Sequence, residues 1–227
     1  YTIPGSKSGV TSTVNITCTT ARSNAKKNGD KWHLYDFATY CAIIWLYLIE
    51  FADWNCQITI GAGVTKSEYS GPVRNGMTDT MIYHTGNSTA GSIECAVQYR
   101  WVENLLGNVS QWVDGFNADG TTAYYCTDPS KYADDTTTGY TKIGTLPASG
   151  WIKDLTVTDN GLLIPKTIGG SETTYIPDFV WSSYGWSVLC VGGHWGGGSY
   201  AGLLYFNASN ASSRSGSDIS ARLLCEA

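Results

Sequence analysis

Residues 99–115 read YRWVENLLGNVSQWVDG, and this stretch decides the predicted fold. Its large apolar side chains, Trp101, Leu105 and Trp112, are of the size that fills a domain core. Asn104 and Asn108 stand between them. Asparagine side chains satisfy turn backbone by hydrogen bonding to the neighbouring main chain. We therefore expect a compact turn that is fastened to the core by its tryptophans.

Upstream, residues 32–54 form a long apolar segment without glycine or proline. The segment is too long for a strand, and it predicts a helix from Trp32 to Trp54. Its uninterrupted apolar run, Cys41 to Ile49, is far shorter than the roughly 20 residues that a membrane span needs. Because the segment is apolar on all sides, we expect a central core helix and no membrane insertion.

The rest of the chain reads as short strands and long polar loops. Residues 21–31 and 61–91 are polar or rich in Gly, Thr and Ser, and they predict loops. One or two early helices followed by many short strands predict an α+β domain. Neither an internal repeat nor a linker is visible, so residues 1–227 are expected to form a single domain. The chain begins at Tyr1 rather than methionine, which suits the C-terminal part of a longer protein. Strands are expected at residues 10–17, 92–101, 122–126, 155–157, 162–164, 186–191 and 219–225.

Three segments resemble known proteins. Residues 99–115 are similar to the ENLWGNVWEW segment of the formylglycine-generating-enzyme-like (sulfatase-modifying-factor) superfamily, a branch of the C-type lectin fold. Residues 185–225 resemble the family ending, in which a GG-x-W turn precedes a loop and a closing strand. Residues 45–57, WLYLIEFADWNCQ, resemble the early helix of phage tail proteins and of variable proteins of diversity-generating retroelements. The resemblance implies a C-type-lectin-like fold with one or two helices, short antiparallel strands and long loops. Ser110 and Gln111 stand where the family usually has Trp and Glu, which weakens any inherited site chemistry there.

Composition limits the classes of partner and the redox state. The net charge is −5, and the sequence lacks a basic stripe, so nucleic acid is not an expected partner. The seven cysteines are scattered and contain no CxxC pair, so zinc is not indicated. Free thiols are the simplest interpretation of an odd and dispersed set, although one or two disulfides stay open.

The sequence does not indicate an enzyme. The resemblance implies that oxidase chemistry of the formylglycine type needs a pair of nearby cysteines after the GG turn. In this sequence no cysteine occurs soon after Gly193. The three histidines, His33, His84 and His194, lie outside any GxSxG or HExxH context. We interpret them as ordinary structural or surface residues.

A metal site is weakly indicated by residues 114–120, which read DGFNADG. Asp114, Asn117 and Asp119 offer oxygen ligands at short spacing, as calcium prefers. The EF-hand pattern fails because a Glu near the twelfth position is missing, and a plain turn is the favoured interpretation of the segment. We expect no cofactor, with calcium left open.

The segment 193–220 has the composition of a binding surface. It holds 6 Gly, 7 Ser, 2 Tyr and 2 Asn among 28 residues, as antibody paratopes do. Residues 196–220 also lack Lys, Glu, Gln, Trp and Met, which the NNC and NNT codons of retroelement diversification cannot encode. A flexible Ser/Gly loop is the alternative. Matched to the varying positions of the related tails, the expected ligand-binding residues are His194, Gly196, Gly197, Tyr200, Asn207, Ser209, Asn210, Arg214, Gly216 and Asp218.

The resemblance and this composition together predict a receptor-binding or ligand-binding variable domain of a phage tail or tail-fibre-type protein, diversified by a retroelement. Its partner is expected to be a host-surface protein or glycan, and its location the virion. A bacterial surface adhesin of the same fold, located on the cell surface, and a purely structural tail protein are the alternatives. The ligand, the host and the oligomeric state are left open.

Overall fold

The computed structural model describes residues 7–66, 68–88 and 95–226. It is mostly β, with 16% of its residues in helices and 31% in strands. The helices are α1 Cys18–Lys26, α2 Phe37–Phe51 and α3 Cys56–Thr59. The strands are β1 Trp32–Leu34, β2 Gly86–Asn87, β3 Val97–Tyr99, β4 Val102–Glu103, β5 Ser110–Asp119, β6 Thr122–Tyr125, β7 Thr141–Thr145, β8 Gly150–Val157, β9 Leu163–Ile168, β10 Phe179–Ser182, β11 Trp186–Val191, β12 Phe206–Asn210, β13 Ile219–Ala221 and β14 Leu223–Cys225.

One large mixed sheet dominates the structure. Its strand order is β7-β6-β5-β11-β12-β10-β8-β9, and β13 joins the side of β5. Strands β10 and β12 are parallel, as are β13 and β5, while the other pairs are antiparallel. The sheet is nearly closed and barrel-like. The α+β, C-type-lectin-like fold that the sequence predicts is therefore wrong, and so is its purely antiparallel pairing.

One physical reason for this error is that register shifts between paired strands disrupt the residue pattern by which a strand is recognised. Residues 150–157 read as loop with a three-residue strand, yet they form the eight-residue β8. Its partner β9 follows close behind in the chain, and the two pair with two register shifts that break the simple alternation of buried and exposed residues. Bulges of this kind hide a strand from a pattern of period two.

The predicted helix 32–54 divides into a strand and a helix. Residues Trp32–Leu34 pair with β14 from the other end of the chain, with Trp32 opposite Cys225. Helix α2 begins only after Asp36, whose Oδ1 accepts a hydrogen bond from the Thr39 N–H at 2.8 Å. It ends at Ala52, which adopts the left-handed conformation at φ 50°.

Helix α2 covers the core with one face only. Phe37, Tyr40, Cys41, Ile44 and Tyr47 are buried, which is the spacing of a single helix face. Ile49 on the opposite face is 79% exposed, so the prediction that the helix is buried on all sides is wrong. Within the described residues, no helix is long and apolar enough to cross a membrane.

The 99–115 segment is attached to the core at one of its two tryptophans. Trp112 is fully buried, and its indole N–H donates to the Ile16 carbonyl at 2.9 Å, as a packed tryptophan requires. Leu105 is buried as well. Trp101 was also expected in the core, but it is 71% exposed. It stands at the tip of the β3–β4 hairpin, where Tyr99 pairs with Val102.

Several smaller predictions have clear outcomes. Residues 10–17 were expected to form a strand, but they make only an isolated bridge between Thr11 and Arg74. Helix α1 lies in the stretch that was expected to be a loop, and Thr17 caps it by accepting from the Thr20 N–H at 3.1 Å. Cys18, Cys41, Cys56, Cys126, Cys190 and Cys225 are free thiols, which agrees with that interpretation for these six residues. Part of the expected strand 92–101 lies outside the described residues.

Candidate ligand-binding site

Nine of the ten predicted ligand-binding residues line one pocket with a volume of about 370 Å³. The exception is Gly216, whose carbonyl accepts hydrogen bonds from the backbone N–H groups of Asn15 and Ile219. We call this surface the 194–218 face. The nine lining residues are His194, Gly196, Gly197, Tyr200, Asn207, Ser209, Asn210, Arg214 and Asp218.

Two glycines at the end of β11 create the entry to this face. Gly192 and Gly193 have φ values of 85° and 72°, which side chains other than glycine rarely adopt. A Cβ on Gly192 would lie 2.6 Å from the Leu105 carbonyl oxygen, and one on Gly193 would lie 2.5 Å from the Ala201 Cβ. The glycine pair therefore lets the chain turn sharply off the sheet and pack closely against its own return.

The return of the chain is held from below. Leu203 is buried among Tyr47, Val97 and other apolar residues. The neighbouring Leu204 N–H donates to Oδ2 of the fully buried Asp178 at 2.7 Å. The 201–203 stretch thus packs inward, as expected for a framework, and fixes the height of the loop above the sheet.

His194 lies at the start of the pocket wall. Its Nδ1 accepts a hydrogen bond from the Gly196 N–H at 3.1 Å, so the neutral ring carries its proton on Nε2. Burial lowers the pKa of His194, and Arg214 acts in the same direction, while Asp218 opposes the shift. The ring is therefore neutral near pH 7.

An ion pair forms another part of the wall. One Arg214 guanidinium nitrogen lies 2.8 Å from Asp218 Oδ2 and 3.1 Å from Oδ1. The turn between them needs a small residue, because a Cβ on Gly216 would lie 2.3 Å from Asp218 Oδ1. Gly216 therefore supports the pair without lining the pocket.

Strand β12 contributes the amide and hydroxyl groups. Asn207 Oδ1 accepts from both the backbone N–H and the hydroxyl of Ser209, at 3.0 and 2.8 Å. The Asn207 amide donates to the Tyr205 hydroxyl at 3.1 Å. Asn210 is buried and donates to Cys190 Sγ at 3.2 Å. Asn207 and Ser209 are thus half-exposed members of the pocket, whereas Asn210 belongs to its floor.

An aromatic cluster that the sequence reasoning missed stands beside the pocket. The Tyr200 ring lies 4.9 Å from that of Trp151, 4.8 Å from Phe179 and 6.2 Å from Trp181, measured between ring centroids. Trp181 also lines the pocket. Phe179 and Trp181 alternate along β10, so they share one face of the sheet, and that spacing was the available signal.

The structure also holds a group of potential metal ligands at some distance in sequence from this face. Cys18 Sγ and carboxylate oxygens of Asp114 and Asp134 lie within 4.8 Å of one another. Arg22 already pairs with this group: its Nε lies 2.8 and 2.9 Å from the two Asp114 oxygens, and its terminal nitrogen bonds Asp134. Burial raises the pKa of the Cys18 thiol well above its usual range, and both carboxylates add to that shift. Arg22 therefore already binds both carboxylates and offsets one of their two charges, and the group does not fit a metal ion while Arg22 is in place.

The three residues proposed for calcium have separate environments. Asp114 is paired with Arg22 inside a bulge of β5. The Asn117 amide donates to the carbonyls of Ala133 and Thr136, each at 2.9 Å. Asp119 is exposed at the end of the strand. The segment 114–120 is thus mainly strand, so the favoured interpretation of the segment as a plain turn is wrong.

The other two histidines lie away from the face. His33 is buried in β1, with Nδ1 2.8 Å from the Leu34 carbonyl oxygen. His84 stacks on the indole of Trp101. Comparison with known proteins adds nothing further: the chain matches no protein-family model, and no match is found among curated proteins.

Proposed function

We propose that the chain is a non-covalent ligand-binding domain whose binding site is the 194–218 face. The observation that carries the proposal is the convergence of nine residues, chosen from the sequence alone, around one pocket. Tyr200 and the neighbouring aromatic rings supply rigid apolar contact area, and the amide, hydroxyl and charged groups supply hydrogen bonds. The ligand class that we propose is a protein or glycan displayed on a host surface.

Binding rather than catalysis is supported by the state of the nucleophiles around the pocket. Burial raises the pKa of the Cys190 thiol to about 12, so this group stays protonated near neutral pH. The Ser209 hydroxyl donates to an amide oxygen, which is not a base that could activate it. His194 Nδ1 is bonded to backbone. The binding proposal includes no metal ion, because Arg22 already binds the carboxylates of Asp114 and Asp134.

The carrier that we propose is a phage tail or tail-fibre-type protein, diversified by a retroelement and located on the virion. The sequence similarity of segments 45–57, 99–115 and 185–225 supports it, together with the absence of Lys, Glu, Gln, Trp and Met from residues 196–220. A bacterial surface adhesin is the alternative carrier of the same binding face. A neighbouring reverse-transcriptase gene and a near-copy of codons 186–225 are the test of diversification.

The test is binding of the purified, fluorescently labelled chain to a panel of candidate host cells. Tyr200→Ala and Arg214→Ala are each expected to cost about 2 kcal/mol of binding free energy, or about 30-fold in Kd. Tyr184→Ala is the matched control, because Tyr184 is fully exposed and lies outside the pocket. Unchanged binding by both site variants, or binding that maps to the 61–91 loop, overturns the proposal.

A further inference from the structure

A second cavity, with a volume of about 250 Å³, lies on a different part of the surface. We call it the polar cavity. It is enclosed by the segment around Ser12, the loop 75–79, the β3–β4 hairpin and the strands β13 and β14. Its walls are mostly polar, and none of the residues of the 194–218 face lines it.

Three buried side chains present unpartnered polar atoms here. Within the described residues, Thr78 Oγ1, Gln98 Oε1 and both amide atoms of Asn104 have no hydrogen-bond partner. Thr78 is 1% exposed, and Gln98 and Asn104 are 6% exposed, and all three line the polar cavity. Leaving one buried polar group unsatisfied costs about 1–3 kcal/mol, so a cluster of three needs an explanation.

A comparison of two asparagines shows that the unpartnered state of Asn104 is not a general property of this loop. Asn104 and Asn108 both adopt left-handed backbone, at φ 53° and 59°. The Asn108 amide is used fully by the loop, since it accepts from the Val73 N–H and donates to the Val73 carbonyl. The Asn104 backbone is held equally firmly, by a 2.7 Å bond from its N–H to the Val97 carbonyl. Of these two amides, that of Asn104 is the one without a hydrogen-bond partner at the cavity.

The charges around the polar cavity already have partners in the fold. The Glu103 carboxylate accepts from the backbone N–H groups of Gly76 and Met77, at 2.7 and 2.9 Å. Arg222 donates to Gln111 Oε1 at 2.9 Å and to the Glu103 carbonyl at 2.6 Å. One positive group and one negative group thus offset each other, and the exposed Asp79 adds a negative charge at the rim. A neutral ligand suits this balance better than an anion.

Trp101 stands where the cavity reaches the surface. It and Arg100 form the two-residue turn of the β3–β4 hairpin, with φ values of 70° and 46°. Such turns strongly prefer Asn-Gly or Gly-Gly, because both central residues need positive φ. Backbone strain of this kind concentrates at ligand-binding sites. Here it displays a 71% exposed indole beside the buried amides.

We propose that the polar cavity binds a neutral polyhydroxylated molecule of one-ring size, a sugar unit being the representative of this class. An amide offers one donor and one acceptor whichever way it is oriented, so the ligand must both donate and accept. A hydroxyl group does both. A sugar ring also carries an apolar C–H face that packs on an exposed indole such as Trp101. The volume of 250 Å³ lies just below the range of drug-sized pockets, which suits one ring and not a chain of several.

This inference is independent of the proposed function of the 194–218 face. The test uses the purified chain and five probes: the methyl glycosides of glucose, galactose and mannose, N-acetylglucosamine, and glycerol. Binding is followed by saturation-transfer NMR and by tryptophan fluorescence. We expect at least one ring probe to bind, with a change in fluorescence, and glycerol to bind more weakly than that ring.

The decisive variant is Thr78→Val with Gln98→Met, which replaces unpartnered polar atoms by apolar atoms of similar size. We expect at least a 10-fold loss of probe affinity and a melting temperature that is unchanged or raised, because Thr78 Oγ1 and Gln98 Oε1 have no protein hydrogen bond to lose. Trp101→Gly is a second variant on an exposed position, and it relieves the positive φ while removing the indole. It is expected to fold and to bind the probe more weakly.

Arg214→Ala is the matched control and is expected to keep the affinity for the ring probe, which separates this site from the 194–218 face. Three results overturn the inference. The first is that no ring probe binds. The second is that the Thr78→Val, Gln98→Met variant binds the probe with unchanged affinity. The third is that this variant melts at a lower temperature and that the cavity holds only ordered water.

Discussion

The 194–218 face and the polar cavity differ in whether their polar side chains have hydrogen-bond partners within the protein. On the face, the polar side chains bind one another: Arg214 pairs with Asp218, and Asn207 accepts twice from Ser209. In the polar cavity, the buried amide of Asn104 has no partner among the described residues. A surface whose groups are mutually satisfied can change its residues without endangering the fold. A cavity with unpartnered buried groups is instead specific for what completes it.

One apolar cluster supports both regions. Leu203, below the face, packs in the same group as Val97 and Tyr99, which form the strand beside the polar cavity. The two regions therefore differ in their polar chemistry but share this apolar cluster. Substitutions in the cluster are expected to affect both regions, and substitutions at the surface only one of them.

The largest effect is expected for Leu203→Asp, because Leu203 is 4% exposed and its backbone N–H donates to the buried Cys56 Sγ at 3.2 Å. An unpaired buried charge costs several kcal/mol, which is a large part of the 5–15 kcal/mol that stabilises a typical domain. We expect this variant to be unfolded by circular dichroism and to lose both sites together. Leu203→Met, which conserves volume, is expected to stay folded. A soluble Leu203→Asp protein with unchanged melting temperature would show that the two regions do not depend on this shared apolar cluster.

The next effect is a pH dependence of stability that originates at Asp178, which holds the Leu204 backbone beneath the 194–218 face. Burial raises the pKa of Asp178 from 3.8 to about 7, although hydrogen bonds from the Leu204 and Tyr205 backbone oppose the shift. Because the folded-state pKa is raised, the unfolded chain binds fewer protons than the native chain between about pH 4 and pH 7. Stability contributed by the protonated form is therefore lost as pH rises through this window, by an amount on the order of a few kcal/mol.

Urea unfolding of the wild type and of Asp178→Asn at about pH 5 and about pH 8 measures this effect. Asn cannot ionise, so the stability of the wild type relative to the variant is expected to fall at the higher pH. Binding of a ring probe at the polar cavity should follow only the folded fraction. Equal pH dependence in both proteins means that Asp178 does not titrate in this range.

The sequence predicted local features better than long-range ones. The helical character of residues 37–51 and the strands 122–125 and 186–191 appear in the pattern of side chains, and all three are present. The burial of Leu105 and Trp112 was also predicted. Residues Trp32–Leu34 were missed, because their strand character comes from pairing with Leu223–Cys225 at the other end of the chain. The apolar pattern of the segment alone favours continuation of the helix.

For the candidate site, the predictable part was the 194–218 segment itself, since its composition is local. The convergence around one pocket depends on the fold, and whether the pocket binds a ligand stays a prediction. Trp151 and Phe179 could not be assigned to the same place, because β8 and β10 meet only through sheet pairing. The polar cavity could not be predicted from the sequence for the same reason. The fold brings its unpartnered groups, Thr78, Gln98 and Asn104, together from several segments that are distant in sequence.

The smallest effect on stability is expected for the ion pair of the face. Arg214 and Asp218 have side-chain exposures of 44% and 23%, and such pairs contribute about 0.2–1 kcal/mol. Arg214→Ala, Asp218→Ala and the double variant should therefore melt within about 2 °C of the wild type. The same Arg214→Ala change is expected to weaken ligand binding strongly.

The buried pair of Arg22 with Asp114 is the reference, because breaking it by Arg22→Met leaves a buried carboxylate and costs about 3–5 kcal/mol. If the Arg214 and Asp218 variants destabilise the chain as much as Arg22→Met does, the pair is part of the framework, and the 194–218 face is not free to vary its residues.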